Sequence, residues 1–174
     1  MSSSQPQAPK APLLHIVVVC TGNICRSPMA HVVLQSAIED AGFERKVQVS
    51  SCGTGGWHVG QQADSRALSE LRRAGFDGSW HRAAQLGPEH VGADLYLALD
   101  QGHARSLKRS GISEQHIRLV RSFDPKAQSK DVPDPYYGSQ EDFGVALSQI
   151  EAAIPGIMQW ISQELERTDD QDAD

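Results

Sequence analysis

The sequence lacks the features that would place the protein in a membrane or route it through export. Its apolar runs are too short to cross a membrane, and the first of them, Leu13 to Val19, has the wrong length and flanks for a cleavable signal. Only three cysteines are present, an odd number that does not suit a disulfide framework. The expected compartment is therefore the cytoplasm, where thiols stay reduced, and export without a cleavable signal is left open.

Positive charge is also scarce. The 174 residues include 16 Lys and Arg against 22 Asp and Glu, which gives a net charge of −6. This balance argues against a general affinity for nucleic acid or for anionic lipid, so we expect neither nucleic acid nor a membrane as a partner. A phosphate site in such a chain must be local and built from few groups.

Patterns typical of strands and of helices alternate along the chain, without an internal repeat. Apolar segments predict strands at 13–19, 46–51, 94–99 and 116–120. Periodic segments predict helices from Ser27 to about Gly42, over 63–74 and 101–110, and from Ser139 onward, where Pro155 should bend or restart the last helix. This alternation favours a single α/β domain, a doubly wound parallel sheet with helices on both faces.

The two ends of the chain have little to bury. Residues 1–12 are predicted to form a disordered leader, and the acidic residues 168–174 are predicted to form a disordered tail. The folded domain is therefore expected to span residues 13–167.

The most informative segment joins the first strand to the first helix. Residues 20–28 read Cys-Thr-Gly-Asn-Ile-Cys-Arg-Ser-Pro, so that Cys20 and Arg26 form a C-x5-R-S spacing. At such a junction backbone N–H groups and the positive end of a helix converge, which makes an anion site. Gly22 lets the backbone approach the anion closely, and Asn23 tolerates a left-handed turn. The pattern predicts a loop that holds a phosphoryl group against a cysteine.

A nucleophilic Cys20 must be a thiolate at neutral pH, whereas a free thiol has a pKa of about 8.5. The amide dipoles, the helix N-terminus and the guanidinium of Arg26 all favour negative charge on the sulfur. The planar fork of Arg26 can also pair with two phosphoryl oxygens at once. Cys20 is thus the candidate nucleophile, and no histidine base is required.

The leaving oxygen needs a proton, and a carboxylic acid in an exposed loop would supply it. Residues 131–138, Asp-Val-Pro-Asp-Pro-Tyr-Tyr-Gly, are the best candidate, because prolines hold Asp134 in an extended segment beside Tyr136 and Tyr137. Asp131 and Asp124 remain alternatives for the acid.

These residues resemble the low-molecular-weight protein tyrosine phosphatases, and most of all an actinobacterial-type branch. The loop from Val19 to Pro28 and the segment Asp134-Pro135-Tyr136-Tyr137 carry the likeness, which continues through Ser51-Cys52-Gly53-Thr54, Trp57-His58-Val59-Gly60 and His81-Arg82-Ala83-Ala84. The resemblance implies a flavodoxin-like or Rossmann-like sheet of four parallel strands. It also implies hydrolysis of phosphotyrosine in proteins.

The resemblance further implies roles for individual residues. Cys20 would form a phosphocysteine, Arg26 would bind the phosphoryl oxygens, and Asp134 would act as general acid and then general base. The phosphate-binding loop would comprise Thr21, Gly22, Asn23, Ile24, Cys25 and Ser27, with Ser27 donating to the Cys20 sulfur and with Ser51 and His81 supporting Asn23. Trp57, His58, Tyr136 and Tyr137 would form the substrate rim. The protein would act as a monomer, with phosphate as product and inhibitor.

Two positions depart from the family pattern. His31 stands where many relatives carry an acidic residue, and Cys52 stands where alanine is usual. Because the adjacent Ser51 is expected to reach the loop, Cys52 could lie near enough to the loop to influence its oxidation. Cys25 is a candidate redox partner that would form a reversible disulfide with Cys20, and simple packing is an equal alternative for it.

Several of these residues also have a purely structural interpretation. Cys20 could be a buried small residue that closes a strand, His81 a structural histidine, and Trp57 ordinary packing. A zinc site is a weak rival, because Cys20, Cys25 and His31 lack paired-ligand spacing. Two other functions use the same loop: an arsenate reductase, disfavoured in its thioredoxin-coupled form because no cysteine follows Cys52, and a phosphotyrosine-binding module without catalysis.

Overall fold

The computed structural model describes residues 11–172, so the predicted leader lies outside the described residues except for its last two positions. Within this range the chain forms four strands and four α-helices. The strands are β1 (Leu14–Cys20), β2 (Val47–Gly53), β3 (Leu95–Ala98) and β4 (Ile117–Leu119), and the helices are α1 (Arg26–Asp40), α2 (Ser65–Arg73), α3 (Gln101–Arg109) and α4 (Gln140–Asp172). Short 3₁₀ turns occupy Pro88–His90, Glu114–His116 and Val120–Phe123.

The strands form one parallel sheet in the order β2-β1-β3-β4. From β1 the chain goes first to one side, into β2, and then crosses to the other side, into β3. In a doubly wound sheet the carboxyl end of a strand flanked in this way is where ligands bind. The predicted α/β class is confirmed, and the Cys20 loop lies at this end of β1.

The sheet is covered on both faces. On one face Ile16 and Val18 of β1 pack with Met29 of α1 and Ile150 of α4. On the other face Val17 and Val19 pack with Leu107 of α3. Because both sets of β1 side chains are buried from Ile16 to Val19, this part of the strand is apolar, as expected of a central parallel strand. This burial fixes the position of the loop that follows.

The last helix differs from its prediction in two ways. It is continuous through Pro155 and does not restart there. Pro155 cannot donate a hydrogen bond to the carbonyl of Glu151, but both residues are exposed, so the missing bond does not lie in the apolar core. The helix also continues past Arg167 to Asp172, where a disordered tail was predicted, and Thr168 Oγ1 donates to the Glu164 carbonyl within this extension.

No helix in residues 11–172 is both long enough and apolar enough to cross a membrane.

Candidate active site

A cleft of about 350 Å³ opens at the carboxyl end of β1. It collects residues from the loop, from the segment after β2 and from the segment before α4. The lining residues are Cys20, Thr21, Gly22, Ile24, Cys25, Arg26, Trp57, His58, Asp134, Tyr136 and Tyr137. All of the predicted catalytic and rim residues therefore line one cleft, whereas Asn23 and Ser27 of the loop, and Ser51 and His81 beside it, do not line the cleft.

Cys20 is the last residue of β1, and only 3% of its surface is exposed. Its sulfur lies 2.9 Å from Ser27 Oγ. Asn23 Nδ2 donates to the same Ser27 oxygen at 2.7 Å, which occupies a lone pair and leaves the Ser27 hydroxyl hydrogen free for the sulfur. The hydroxyl is thus set to donate to Cys20 and to favour the thiolate.

Asn23 holds the loop in shape. Its backbone is in the left-handed region, with φ of 58°, which asparagine tolerates better than most residues. Its side chain is fully buried, with Oδ1 accepting from the Ala84 amide at 2.8 Å and Nδ2 donating to Ser51 Oγ at 3.1 Å. His81 Nε2 donates to the backbone carbonyl oxygen of Asn23 at 2.9 Å. Both of the expected supporting residues therefore contact Asn23.

His31 extends this buried network. Its Nδ1 lies 3.0 Å from Ser51 Oγ, and its ring meets Trp80 edge to face at 4.9 Å. Burial, followed by the proximity of His81, lowers the pKa of His31 to about 4. Burial also lowers the pKa of His81. Both rings are thus neutral at pH 7, so the two histidines add no charge to the buried network.

Helix α1 begins without the usual side-chain cap. Cys25 is the N-cap residue, it makes no capping hydrogen bond, and the first turn holds no acidic residue. The amide groups of the loop and first turn are thus left for a ligand, as in other anion sites at helix N-termini. Burial and the charge of Asp64 raise the pKa of the Cys25 thiol well above its ordinary value, so this cysteine remains protonated.

The Arg26 guanidinium is buried and oriented by two acceptors. Nη1 donates to Asp100 Oδ2 at 2.7 Å and to the Val132 carbonyl at 2.8 Å, which uses both of its hydrogens. Nη2 is left toward the cleft, where Asp134 Oδ2 lies 3.7 Å away. Burial alone would raise the pKa of Asp100, but the bond from Arg26 holds it below its ordinary value. Asp100 is therefore an ionised anchor for the guanidinium.

His103 lies beside this pair. Its Nδ1 accepts from the Asp100 amide at 3.2 Å, so the ring proton is on Nε2, which donates to Thr21 Oγ1 at 2.9 Å. Burial lowers the pKa of His103 to about 4, so its 3.3 Å contact with Asp100 is not an ion pair at pH 7. His103 thus braces the loop as a neutral donor.

Of the three candidate acids, only Asp134 lines the cleft. Its side chain is 48% exposed, and Oδ1 accepts from the Tyr136 amide at 3.1 Å, which turns Oδ2 toward Arg26. Asp131 instead accepts from the Gln101 amide at 2.9 Å. Asp124 accepts from the amide of Lys126. The latter two carboxylates are engaged in capping and turn bonds.

Arg66, on α2, ties the acid segment to the rest of the site. It donates to the carbonyls of Tyr136 at 2.9 Å and Gly138 at 3.2 Å. Asp64 holds the guanidinium through two bonds, at 3.0 and 2.9 Å, and the Asp64 amide donates to the Ile24 carbonyl at 2.7 Å. One chain of contacts therefore runs from the phosphate-binding loop to the segment that carries Asp134.

Aromatic side chains surround the mouth of the cleft. Trp57 is 73% exposed and Tyr137 is 94% exposed, while Tyr136 meets Tyr137 edge to face at 4.9 Å. His58 lies over Gly22, where a Cβ would come within 3.0 Å of the imidazole. A Cβ at this position would press on the imidazole, so glycine leaves room for His58 at the rim as well as for an anion.

Cys52 is separated from the loop by the sheet. It is fully buried and packs with Val19 and Tyr96, whereas Cys20 packs on the opposite face. Burial raises the pKa of Cys52 to about 12. The expected influence of this thiol on loop oxidation thus has no direct contact to support it. Among residues 11–172 no group of three or more His, Cys, Asp or Glu is arranged to hold a metal ion.

Three residues of the site were not predicted: Asp100, His103 and Arg66. A signal for Asp100 was present, because an acidic residue that directly follows a buried parallel strand lies at the ligand-binding edge of the sheet. His103, on the first turn of α3, follows from the same argument. Arg66 had no such signal, since it lies on an amphipathic helix whose other arginines are exposed.

Comparison with known proteins agrees with this geometry. A family model described as low molecular weight phosphotyrosine protein phosphatase matches residues 15–169. Low molecular weight protein-tyrosine phosphatase A of Mycobacterium tuberculosis is 47% identical over 156 residues, which cover 88% of this chain and 95% of the relative. The low molecular weight protein-tyrosine-phosphatase of Streptomyces coelicolor is 43% identical over 157 residues, covering 87% and 95%.

Solved structures show the same fold. The protein tyrosine phosphatase of Entamoeba histolytica, crystallised with Hepes in its active site, superposes with a TM-score of 0.81 at 27% identity, covering 86% of this chain and 97% of that one. The low molecular weight enzyme of T. tengcongensis gives 0.75 at 30% identity, covering 84% and 98%. Each of these proteins carries the name of a phosphatase, and none the name of a reductase.

Proposed function

The chain belongs to the low molecular weight phosphotyrosine protein phosphatases, with relatives of the actinobacterial type, and from that premise we propose which of its residues carry the reaction. It is an enzyme that hydrolyses phosphotyrosine in proteins. The proposal assigns the nucleophile to Cys20, the phosphoryl clamp to Arg26 and the acid to Asp134. The observation that carries it is the convergence of these three side chains on one cleft.

The first step transfers the phosphoryl group to sulfur. The Cys20 thiolate attacks phosphorus, the bond to the tyrosyl oxygen breaks, and Asp134 gives its proton to that oxygen. The loop amides and Arg26 Nη2 hold the equatorial oxygens, with the guanidinium kept in place by Asp100. The hydroxyl of Ser27 stabilises the thiolate before attack and after release.

The second step returns the enzyme to its starting state. Asp134, now a carboxylate, takes a proton from water as the water oxygen attacks phosphorus and the bond to sulfur breaks. Phosphate leaves and the Cys20 thiolate is restored. Because phosphate occupies the same loop, we propose that it also inhibits. No metal or cofactor takes part in either step.

The rim gives the preference for tyrosine. Trp57, Tyr136 and Tyr137 form aromatic walls above a loop that lies at the bottom of the cleft, and His58 adds a polar group at the same edge. A phenyl ring spans that depth and stacks on those walls, whereas the side chain of phosphoserine is too short to reach. We assign these four residues to substrate binding.

We also propose the compartment, the redox partner and the oligomeric state of the enzyme. Three free thiols, at Cys20, Cys25 and Cys52, support a reducing compartment, for which we propose the cytoplasm. Cys25 shares the cleft with Cys20, which supports a reversible disulfide between them under oxidation. We propose a monomer, since the cleft contains every residue that the two steps require.

Phosphate release from a panel of phosphotyrosine peptides, with phosphoserine peptides as controls, tests the assignment. The Cys20→Ser protein should release none, and Asp134→Ala should lose about 10²- to 10⁴-fold in kcat. Phosphate release by Cys20→Ser at the parent rate would show that Cys20 is not the nucleophile. Tight binding by the parent without release would instead indicate a phosphotyrosine-binding module, and thiol-dependent reduction of arsenate would indicate a reductase.

A further inference from the structure

Charge is unevenly distributed along the chain. Residues 101–130 contain seven Lys or Arg against two acidic residues, a net charge of +5 within a chain whose total is −6. This stretch forms α3, β4 and the turn after β4, at the edge of the sheet formed by β4. The overall composition hides this positive stretch, and the fold decides which of its cations lie together.

Part of this charge lines a groove of about 530 Å³, here called the basic groove. Four cations line it: Arg105 and Lys108 of α3, Arg118 of β4, and Lys130. The one acidic residue in the lining, Glu114, is paired with Lys108 at 2.9 Å. The basic groove therefore has a net positive charge and remains open to an anionic partner.

Two of these cations are free to bind. Arg105 and Lys130 are exposed and make no ion pair or side-chain hydrogen bond to any residue in the described range 11–172. Arg118 differs, because its guanidinium lies 4.1 Å from the centre of the Phe123 ring and so has a packing role. Arg105 and Lys130 are the residues whose charge the fold itself does not use.

The basic groove adjoins the catalytic cleft at two points. Gln101 lines it and directly follows Asp100, the residue that holds Arg26. Lys130 lies four residues before Asp134, a separation of at most about 14 Å along the chain. The Gln101 amide donates to Asp131 Oδ1 at 2.9 Å, which ties the start of α3 to the segment that carries Asp134. A peptide bound in the cleft can therefore reach the basic groove within about four or five residues.

We propose that the basic groove docks an acidic segment of the phosphoprotein substrate, next to the phosphotyrosine bound in the cleft. This inference rests on the proposed function and adds a substrate class to it: phosphotyrosine flanked by clustered Asp, Glu or further phosphorylated residues. Outside residues 101–130 the chain has 20 acidic residues against 9 Lys and Arg, an excess that disfavours contact with such a segment elsewhere.

The test compares two phosphotyrosine peptides that differ only in flank, one with three glutamates within five residues of the phosphotyrosine and one with glutamines, each made with the flank on either side. For the parent, kcat/KM should favour an acidic peptide by about tenfold at low salt, the size expected of two or three exposed charge pairs. At 1 M salt the preference should fall close to one, because the screening length shrinks to about 3 Å.

The Arg105→Glu, Lys130→Glu protein should lose that preference. A small aryl phosphate, which has no flank, reports whether this variant is folded and active. The matched control is Arg45→Glu, Arg72→Glu, which makes the same change in net charge at two exposed arginines outside the basic groove and should keep the preference.

Several outcomes would overturn the docking proposal: equal rates for acidic and neutral peptides in the parent, or equal loss of preference in the groove and control variants. Groove-dependent binding to phosphatidylserine vesicles without peptide preference would assign the surface to lipid instead. If no phosphotyrosine peptide were hydrolysed at all, the proposed function would fail first, so the two failures are distinguishable.

Discussion

The two halves of the catalytic site are built in opposite ways. The phosphate-binding loop, residues 20–27, is closely bonded and mostly buried, with Asn23 and Ser27 fully buried and Arg26 3% exposed. The acid segment, residues 131–138, is largely exposed and has no regular secondary structure apart from a turn. Asp134 is half exposed, and the backbone of this segment is held by arginines from three separate elements.

This difference matches the two chemical tasks. A thiolate must be stabilised before substrate arrives, and a rigid set of donors does so without reorganisation during the reaction. An acid must admit a substrate ring, deliver a proton and then receive water, which favours an accessible segment. We therefore expect substitutions in the loop to reduce stability and activity together, and substitutions in the acid segment to reduce activity alone.

The largest combined loss of stability and activity is expected at Asn23, in the phosphate-binding loop. Asn23→Ala leaves the Ala84 amide and the Ser51 and Ser27 hydroxyls with fewer partners and places alanine at a positive φ. It should lower the free energy of unfolding by about 3 kcal/mol and kcat/KM by about 100-fold. Asn23→Gly, which tolerates the backbone conformation, separates strain from lost hydrogen bonds.

Urea denaturation and phosphate release measure both effects. Asp134→Ala is the counterpart in the acid segment and should leave the free energy of unfolding within about 0.5 kcal/mol of the parent. The comparison breaks down if this substitution is as destabilising as Asn23→Ala.

A smaller effect is expected at Arg66, which positions the acid segment through the Tyr136 and Gly138 carbonyls. Arg66→Lys loses the planar fork that binds these carbonyls and Asp64 together. It should lower kcat by about tenfold for aryl phosphates whose phenol is weakly acidic, since these need the proton most. For a strongly acidic phenol the rate should barely change.

The matched control is Arg73→Lys on the same helix, whose partner Glu70 lies away from the acid segment. It should leave both rates unchanged. An equal loss for both leaving groups in Arg66→Lys would show that the residue acts on general stability and not on delivery of the proton.

A pH dependence of the free energy of unfolding is expected on the loop side. His31 and His103 have folded-state pKa values of about 4, against an ordinary value of 6.5. Between these values the unfolded chain binds more protons than the folded one, so stability is complete above about pH 6.5 and falls as the pH drops toward 4. The expected slope is up to about 1.4 kcal/mol per pH unit for each histidine.

Urea midpoints measured from pH 7 to pH 4.5 check this slope. His31→Asn keeps an acceptor near Ser51 without titrating, so its stability should fall less steeply with acid than that of the parent. His15, His81 and His90 also have lowered pKa values and add a background in the same direction. If the slope of His31→Asn is identical to the parent's, protonation of His31 does not contribute to the loss of stability in acid.

Much of the loop was predictable because its parts are close in sequence. Cys20, Arg26 and Ser27 fall within eight consecutive positions, and the strand before them and the helix after them leave few possible arrangements. The requirement for a left-handed residue at Asn23 followed from the same local argument. Pro155 shows where local rules fall short: proline predicted a break, but exposure of the Glu151 carbonyl made the missing hydrogen bond tolerable.

The sequence by itself determined the fold class and the C-x5-R-S loop that holds the proposed nucleophile, since hydrophobic periodicity and a short motif act over neighbouring residues. Only the tertiary structure decided that Asp134, and not Asp131 or Asp124, faces the cleft. It also decided that Asp100 and Val132 orient Arg26, that Arg66 holds the acid segment, and that a basic groove exists on an acidic chain. The contacts of Arg26 and Arg66 join residues 70 to 106 positions apart, where no local pattern relates one partner to the other.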